Sequence, residues 1–497
     1  MIEVSDVVLP IISLVAFALL TLPVFRIIRK SQHKTALTLA WFSAVFTVTG
    51  GAVANLSFKY YSLPSPQPFL NVTTTDASSA ALSSAFMVDA VSVYMAIIFI
   101  AVSAVVFLYS VFYVDSSKRP SERYYAVMLM LTAALIGAVF SGDLLTMFIF
   151  WEAAAAGSGF LMVYKKNPVS LNSTLKYLVM IIIASAFVVF GLSLVYGMTG
   201  TLNFWAVKQA LMTLADKHLL MLAFIFIVAG YAIEAAVVPF HFWLPDAYSA
   251  APSSSSAFLS ALIDQGSYYV LIRVLVFILT PPGVLDWTLM LAVMAALTMI
   301  VGNLFALIQD DVKRLIANIC VADVGYNLVA ITSVTADGLR ANLFFFLVGG
   351  ICTAMAFMTL GVINRYGFKT LEDFSGLGRK MPLASFALFI AALSFAGVPS
   401  TGGFMAKYMV VNAVINSNFS WLAVILVLMS VLQTAYLFRL VNYMYAKKPK
   451  DETKIKEPLK LLIPIFILVA VIIILGVYPS LALDLIQPAI WQFPLIP

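Results

Sequence analysis

The sequence predicts an all-α polytopic membrane protein of about fourteen transmembrane helices, and three observations carry that prediction. Of its 497 residues, 62% are hydrophobic and only 10% are charged, where a soluble domain carries about 25% charged residues. Apolar runs of about 20 residues, enough to cross a bilayer, recur from end to end. Two of these runs are unusually long, are interrupted by proline, and stand five spans apart, so a repeat unit of five helices would reverse its orientation in the membrane.

In order, the runs cover roughly 7–28, 35–57, 86–114, 124–141, 143–164, 171–198, 218–240, 254–280, 287–308, 312–333, 340–364, 382–412, 419–445 and 458–485. The opening MIEVSDVVLP has acids where a cleavable signal carries basic residues, so the first run reads as a retained span. The loop 58–85 contains SLPSPQPFLNVTTTDASS and reads as irregular surface chain. Its Asn71-Val72-Thr73 fits a glycosylation pattern of a kind that often arises by chance. Cys320 and Cys352 both fall inside spans, cannot build a disulfide framework, and read as packing residues.

Net charge is +6, and its distribution follows the spans. One set of loops holds Arg29, Lys30, Lys34, Lys118, Arg119, Arg123, Lys165, Lys166, Lys313, Arg314, Arg365, Lys369, Arg379, Lys380 and the run AKKPKDETKIKEPLK, with Arg26 at its edge. The opposite loops hold only Lys59, Lys208, Lys217 and Arg340. The positive-inside rule makes the rich side cytoplasmic and both termini external, in a cell membrane crossed many times. The charge is therefore topology rather than nucleic-acid affinity.

The two interrupted runs are the seventh and the twelfth. The segment 218–250 breaks at Pro239 and again within LPDAYSAAP, and 382–412 breaks within AGVPSTGGF around Pro399. Proline removes a helix hydrogen bond, and in lipid such an opening survives only where protein or a watery cavity satisfies the freed groups. Paired breaks of this kind point to an ion or substrate pathway. Two independent kinks made for packing are the alternative.

Several spans also carry ionisable residues, each costing at least about 2.5–3.5 kcal/mol at the bilayer centre. Glu152 lies nine residues after Asp143, about 14 Å along a helix. Lys176 sits in the sixth span, Glu234 in the broken seventh, and His241 just past the break. Asp264 and Arg273 share the eighth, Asp323 is in the tenth, and Lys407 follows the break in the twelfth. Arg439 reads as snorkelling to the headgroups. Arg273 reads as reaching the outer interface, and Lys313 and Arg314 as topology anchors. For Glu152, Glu234, Asp264, Asp323 and Lys407, structural ion pairs are one reading. A proton relay is the other, with Na⁺ coordination by carboxylates and freed carbonyls as its variant. Walker loops, dinucleotide glycine motifs and metal-spaced Cys or His clusters do not occur in the sequence, so no catalytic centre, metal or cofactor is expected in this chain. The run APSSSSAFLS reads as a helix start whose serines pack between helices.

Four stretches carry a family resemblance: SGDLLTMFIFWE (141–152), VVPFHFWLPDAYSAAP (237–252), DVKRLIANICVADVGY (311–326) and AGVPSTGGFMAKY (396–408). They resemble the antiporter-like subunits of Mrp-type Na⁺/H⁺ antiporters, a fold shared with proton-pumping subunits of respiratory complex I and of membrane-bound hydrogenase-type complexes. The resemblance covers nearly the whole chain in matching order, and the length looks like the shorter D-type subunit. It implies inverted repeats over spans four to eight (123–280) and nine to thirteen (281–447), flanked by 1–122 and 448–497. It also implies ion movement along a central axis, with Glu152, Lys176 and Lys407 at family positions.

Three positions depart from the family pattern. Glu234 stands where Lys usually precedes PFH, Asp264 where the eighth helix usually carries Lys, and Asp323 where the tenth usually carries His. A Glu152–Lys pair therefore cannot form at position 234. The working expectation makes Glu152 the intake-side acid, Lys176 the nearby charge that modulates it, and Glu234, Asp264 and Asp323 a central acidic relay. Lys407 is the terminal basic switch, and His241, Asp246 and Arg273 are secondary candidates. Water would reach these groups at the Pro239 and Pro399 breaks. The implied cargo is H⁺ and/or Na⁺. The implied partners are other membrane subunits of an Mrp-like or complex I-like assembly, with a peripheral redox module as a further candidate. A degenerate spacer subunit and a stand-alone carrier of an organic solute are the competing readings.

Overall fold

In hydrocarbon every backbone N–H and C=O must find its partner inside the protein, which leaves helices as the means of crossing for a chain this apolar. The computed structural model describes residues 2–28, 30–63, 70–71, 85–114, 121–214, 217–279, 286–449 and 454–491. Among them, twelve unbroken helices are long and apolar enough to cross a membrane, and the two broken helices complete the fourteen. The crossing helices are α1 (Val4–Ile28), α2 (Lys34–Tyr61), α3 (Ala90–Tyr113), α4 (Glu122–Val139), α5 (Leu144–Met162), α6 (Pro168–Thr199) and α7 (Lys217–Glu234). They continue with α8 (Ser253–Ile278), α9 (Thr288–Leu307), α10 (Val312–Thr332), α11 (Ala336–Asn364), α12 (Pro382–Ala396, resuming as Gly402–Ile415), α13 (Ser420–Tyr445) and α14 (Leu459–Val477). The run expected over 458–485 ends early, because Pro479 closes α14 and a separate helix begins at Ser480. Arg29, Lys118, Arg119, the Lys165 side chain and most of the 58–85 loop lie outside the described residues.

Helix starts follow their caps. Asp89, Asp143, Asn167 and Asp311 each accept a hydrogen bond from a backbone N–H of the first turn, which satisfies donors the helix leaves open. Pro168 occupies the first position of α6, where no N–H is needed.

Loops of each kind gather on their own side. Val312 N donates to Lys369 O at 3.0 Å, Leu371 N to Asp310 O at 2.9 Å, Gly376 N to Tyr443 O at 3.0 Å and Ile455 N to Lys380 O at 3.0 Å. These bonds tie the basic loops after α9, α11 and α13 together. At the other ends of the helices, Gly142 N donates to Ala85 O at 2.8 Å and Leu144 N to Leu202 O at 2.9 Å. Helices α8 and α10 are wholly buried and α11 nearly so, whereas α1, α2, α6 and α13 turn most of their surface outward. The polar side chains of the spans are therefore concentrated in a central row of helices.

Both breaks are satisfied by protein. After α7 ends at Glu234, Ala236 takes a left-handed conformation (φ 51°), and a short helix, Trp243–Ala250, follows Pro239. Trp243 Nε1 donates back across the break to Ile233 O at 2.9 Å, and Val238 N donates to Thr298 Oγ1 of α9 at 3.1 Å. In α12, Gly397 caps the first half (φ 76°), and Gly403 N donates to Ser394 Oγ at 3.2 Å. A Cβ on Gly403 would sit 1.9 Å from Ser394 O, so this crossing of the two halves requires glycine.

Candidate functional site

Apart from the Arg273–Asp89 pair, buried ionisable groups of the central spans follow one another from α5 to α12. At one end Glu152 of α5 is half-buried, with Oε2 enclosed and without a hydrogen-bond partner. It lies near enough to Glu234 for the two charges to interact. Glu234 is the last residue of α7 and is buried beside the break. Its Oε2 accepts from Trp151 Nε1, while Oε1 has no partner. Trp151 belongs to α5, one residue before Glu152, so the same helix turn brings both the indole donor and the first acid to Glu234.

Tyr177 of α6 is the next link. It interacts electrostatically with Glu152, Glu234 and Asp264, and its hydroxyl donates to Ala155 O at 2.6 Å. Asp264 is buried in α8 and accepts a hydrogen bond from Tyr248 OH of the Trp243–Ala250 helix. A π-helical turn, Leu259–Ile263, immediately precedes Asp264, and a second covers Arg273–Ile278. Wider turns of this type often occur at functional positions because they re-aim a side chain.

From Asp264 the line passes to Asp323 of α10, which interacts with it, and then to Lys407 of α12. Asp323 and Lys407 face a cavity of about 20 Å³ whose wall includes Cys352, Ser394, Phe395 and Gly403, room for a single water. The Lys407 ammonium is held by neutral groups. It donates to Phe395 O at the break and to Gln433 Oε1 of α13, each at 2.7 Å, and lies 4.6 Å from the Tyr326 ring centroid. Asn303 and Tyr436 extend this polar cluster across α9 and α13.

Five of the expected residues thus succeed one another as neighbours, with Tyr177 between the second and third: Glu152, Glu234, Asp264, Asp323 and Lys407. Lys176 does not join them. Its Nζ pairs with Asp246 at 2.8 Å, and Arg314 pairs with the other oxygen of Asp246 at 2.7 Å. This partly exposed clamp ties α6, the Trp243–Ala250 helix and α10 at the mouth of a cleft of about 480 Å³. Arg314 is therefore more than a topology anchor. Lys313 is buried and donates to Ala251 O at 2.5 Å, closing the turn before α8.

Arg273 is also not at an interface. It is completely buried, and its guanidinium makes a two-pronged contact with Asp89, at 2.5 and 3.1 Å, plus bonds to Ser92 and Tyr269. Asp89, Gln433, Tyr248 and Tyr326 escaped the sequence reading. The D-x-x-S start at Asp89 was the one available signal, and it marks a cap rather than a partner. His241 packs against Phe242 and stacks on Phe305, with both ring nitrogens buried. Arg439 pairs with Asp310 at 2.6 Å near the surface, in keeping with its expected position at a helix end.

Among the described residues, twelve helices long and apolar enough to cross, two further broken helices and a succession of buried ionisable groups define an antiporter-like polytopic membrane protein. The profile of the family described as NADH:quinone oxidoreductase/Mrp antiporter, TM, matches residues 141–434, a stretch from the start of α5 into α13 that includes all five of these residues, Glu152 to Lys407. The chain belongs to that family. It is 30% identical over 450 residues to NADH-quinone oxidoreductase subunit N of Thioalkalivibrio sulfidiphilus (strain HL-EbGR7), covering 90% of each chain. A chain of the membrane-bound sulfane sulfur reductase, an archaeal respiratory membrane complex, superposes with a TM-score of 0.83 at 27% identity, covering 98% of this chain and 97% of that one. A chain of the Mrp complex from Dietzia sp. DQ12-45-1b superposes with a TM-score of 0.85 at 23% identity, covering 99% and 97%, and shares the fold.

Proposed function

We propose that this chain is an ion-translocating subunit of a multisubunit membrane complex and that it carries H⁺ along the line Glu152–Glu234–Asp264–Asp323–Lys407. The observation that carries this reading is the succession of ionisable groups, Glu152 beside Glu234, Asp264 beside Asp323 and Asp323 beside Lys407, with neutral Tyr177 standing between Glu234 and Asp264. The three acids at family-atypical positions all lie on the axis, in keeping with a carboxylate version of the relay. Glu234 and Asp264 each face a donor, an indole N–H or a phenol O–H. A dehydrated Na⁺ needs several oxygen ligands converging on one point, and among the described residues no three acidic, His or Cys side chains gather in that way, which favours H⁺ as cargo. The Asp323–Lys407 cavity, at about 20 Å³, is far below the roughly 300 Å³ or more of small-molecule sites. That difference weighs against carriage of an organic solute.

The hydrogen-bonded basic loops support an orientation with that face cytoplasmic and the termini external. The cleft at Lys176, Asp246 and Arg314 then opens on the cytoplasmic side as the intake vestibule. The two five-helix units, 123–280 and 281–447, would each contribute one break. The known relatives are parts of an NADH-quinone oxidoreductase, a sulfane sulfur reductase and an Mrp complex. By analogy, this chain would work beside other membrane subunits, with any redox chemistry located in a partner.

The test is ion uptake by inverted membrane vesicles containing the assembled complex, comparing wild type with Glu234→Gln while following both pH and Na⁺. The expected result is loss of H⁺ uptake with assembly unchanged. Unchanged uptake of both ions would favour the spacer reading.

A further inference from the structure

We infer that the groove between α1, α4 and α5 is a binding site for an anionic phospholipid of the leaflet that faces the basic loops. The groove is about 730 Å³ and lies away from the ion axis. Its walls are Leu19 and Leu22 of α1, Met130 of α4 and Phe160 of α5, with Arg123 and Lys166 at one end. Arg123 sits in the first turn of α4, and Lys166 follows the last turn of α5. Both cations therefore stand at one membrane level, the level of lipid headgroups. Both are exposed, and neither forms an ion pair among the described residues.

From the cations the apolar wall runs inward. Met130 lies seven residues after Arg123 and Phe160 six before Lys166, which at 1.5 Å per residue is about 10 Å of depth. The half-thickness of the hydrocarbon core is about 15 Å, so the groove serves one leaflet and stops short of the other. A partner's transmembrane helix would need an apolar channel the full thickness of the bilayer. A phosphate at Arg123 and Lys166 with an acyl chain against Leu19, Met130 and Phe160 fits both the charge and the length. Phe160 is 73% exposed and Leu19 57% exposed, so the chain as it stands leaves this wall open to lipid. Basic pockets between membrane helices on the cytoplasmic side are a known physical basis for acidic headgroup binding.

The test uses the assembled complex in nanodiscs of equal phosphatidylglycerol and phosphatidylcholine, each supplied in turn with a photoreactive acyl chain. Cross-links to the segments around Met130 and Phe160 are counted by mass spectrometry. Two cations near the surface predict a preference for phosphatidylglycerol of roughly thirtyfold at low salt. Arg123→Gln with Lys166→Gln abolishes that preference, whereas Arg123→Lys retains most of it. Both positions are exposed, so the variants keep the fold, which gel filtration of the complex checks. Equal labelling by the two lipids, a preference unchanged in the double variant, or cross-links to a partner polypeptide in place of lipid would each overturn the proposal. These outcomes are independent of ion uptake and so of the function proposed above.

Discussion

Replacing Asp89 with Asn removes what is, among the described residues, the one counter-charge of a guanidinium that has no access to solvent. The side chains of Arg273 and Asp89 are 1% and 4% exposed, and they meet through two bonds, at 2.5 and 3.1 Å. Ser92 and Tyr269 supply further acceptors at 2.9, 3.0 and 2.6 Å but no negative charge. Asparagine preserves the shape of the side chain and still caps α3, since Asn and Asp are comparable N-caps. With Oδ1 kept as the cap, the amide nitrogen replaces the Oδ2 acceptor of Arg273 Nη1, so the measured loss combines the charge with one hydrogen bond. Breaking a buried pair in this way costs about 3–5 kcal/mol, because an uncompensated ion is left behind. Adding Arg273→Gln to Asp89→Asn removes the stranded charge and is expected to recover most of the loss, a coupling that a double-mutant cycle reads directly. The assay is reversible denaturant unfolding of the chain in detergent micelles, with the three variants compared at one temperature. A loss below about 0.5 kcal/mol for Asp89→Asn, typical of a hydrated surface pair, would refute the argument.

Two further perturbations follow from the axis, with one control away from it. A Cβ at Gly266 would lie 2.6 Å from the Trp151 ring and 2.7 Å from Leu135, so Gly266→Ala is expected to cost about 1–3 kcal/mol by overpacking and to lower H⁺ uptake by shifting the donor to Glu234. Gly197→Ala, inside α6 with nothing within 4 Å, should leave uptake unchanged and raise stability by up to about 1 kcal/mol. Gln433→Leu deletes a 2.7 Å acceptor of the buried Lys407 ammonium, worth about 1.5–3 kcal/mol for a bond to a charged group. The variant should assemble with reduced stability and reduced uptake, measured by unfolding in micelles and by vesicle flux.

The helices were legible because the property that makes a span, an uninterrupted apolar length, is local. The breaks were legible for the same reason: Pro239 and Pro399 interrupt long apolar runs in plain view. Depth along a helix could also be counted, which placed Glu152, Glu234, Asp264, Asp323 and Lys407 inside the membrane. Direction around the helix could not. Arg273 is near an end of α8 in sequence, and only the fold reveals that it points at Asp89, 184 positions away. Lys176 has the same ambiguity. It lies two turns from the α6 start, and its azimuth takes it to Asp246 instead of Glu152. Neutral partners such as Gln433 and Tyr248 left no trace in charge or periodicity, because a single Gln or Tyr in an apolar run looks like any other packing residue.

The central claim is that the ionisable groups form one line on which flux depends, and Asp264 is its middle. The decisive measurement is potential-driven H⁺ uptake by inverted vesicles containing the assembled complex with Asp264→Asn, a change that leaves a side chain able to accept from Tyr248. The account predicts uptake at the level of the passive leak, with the complex intact and Na⁺ movement no larger than in wild type. Uptake at the wild-type rate would contradict it and leave the buried acids as structural groups.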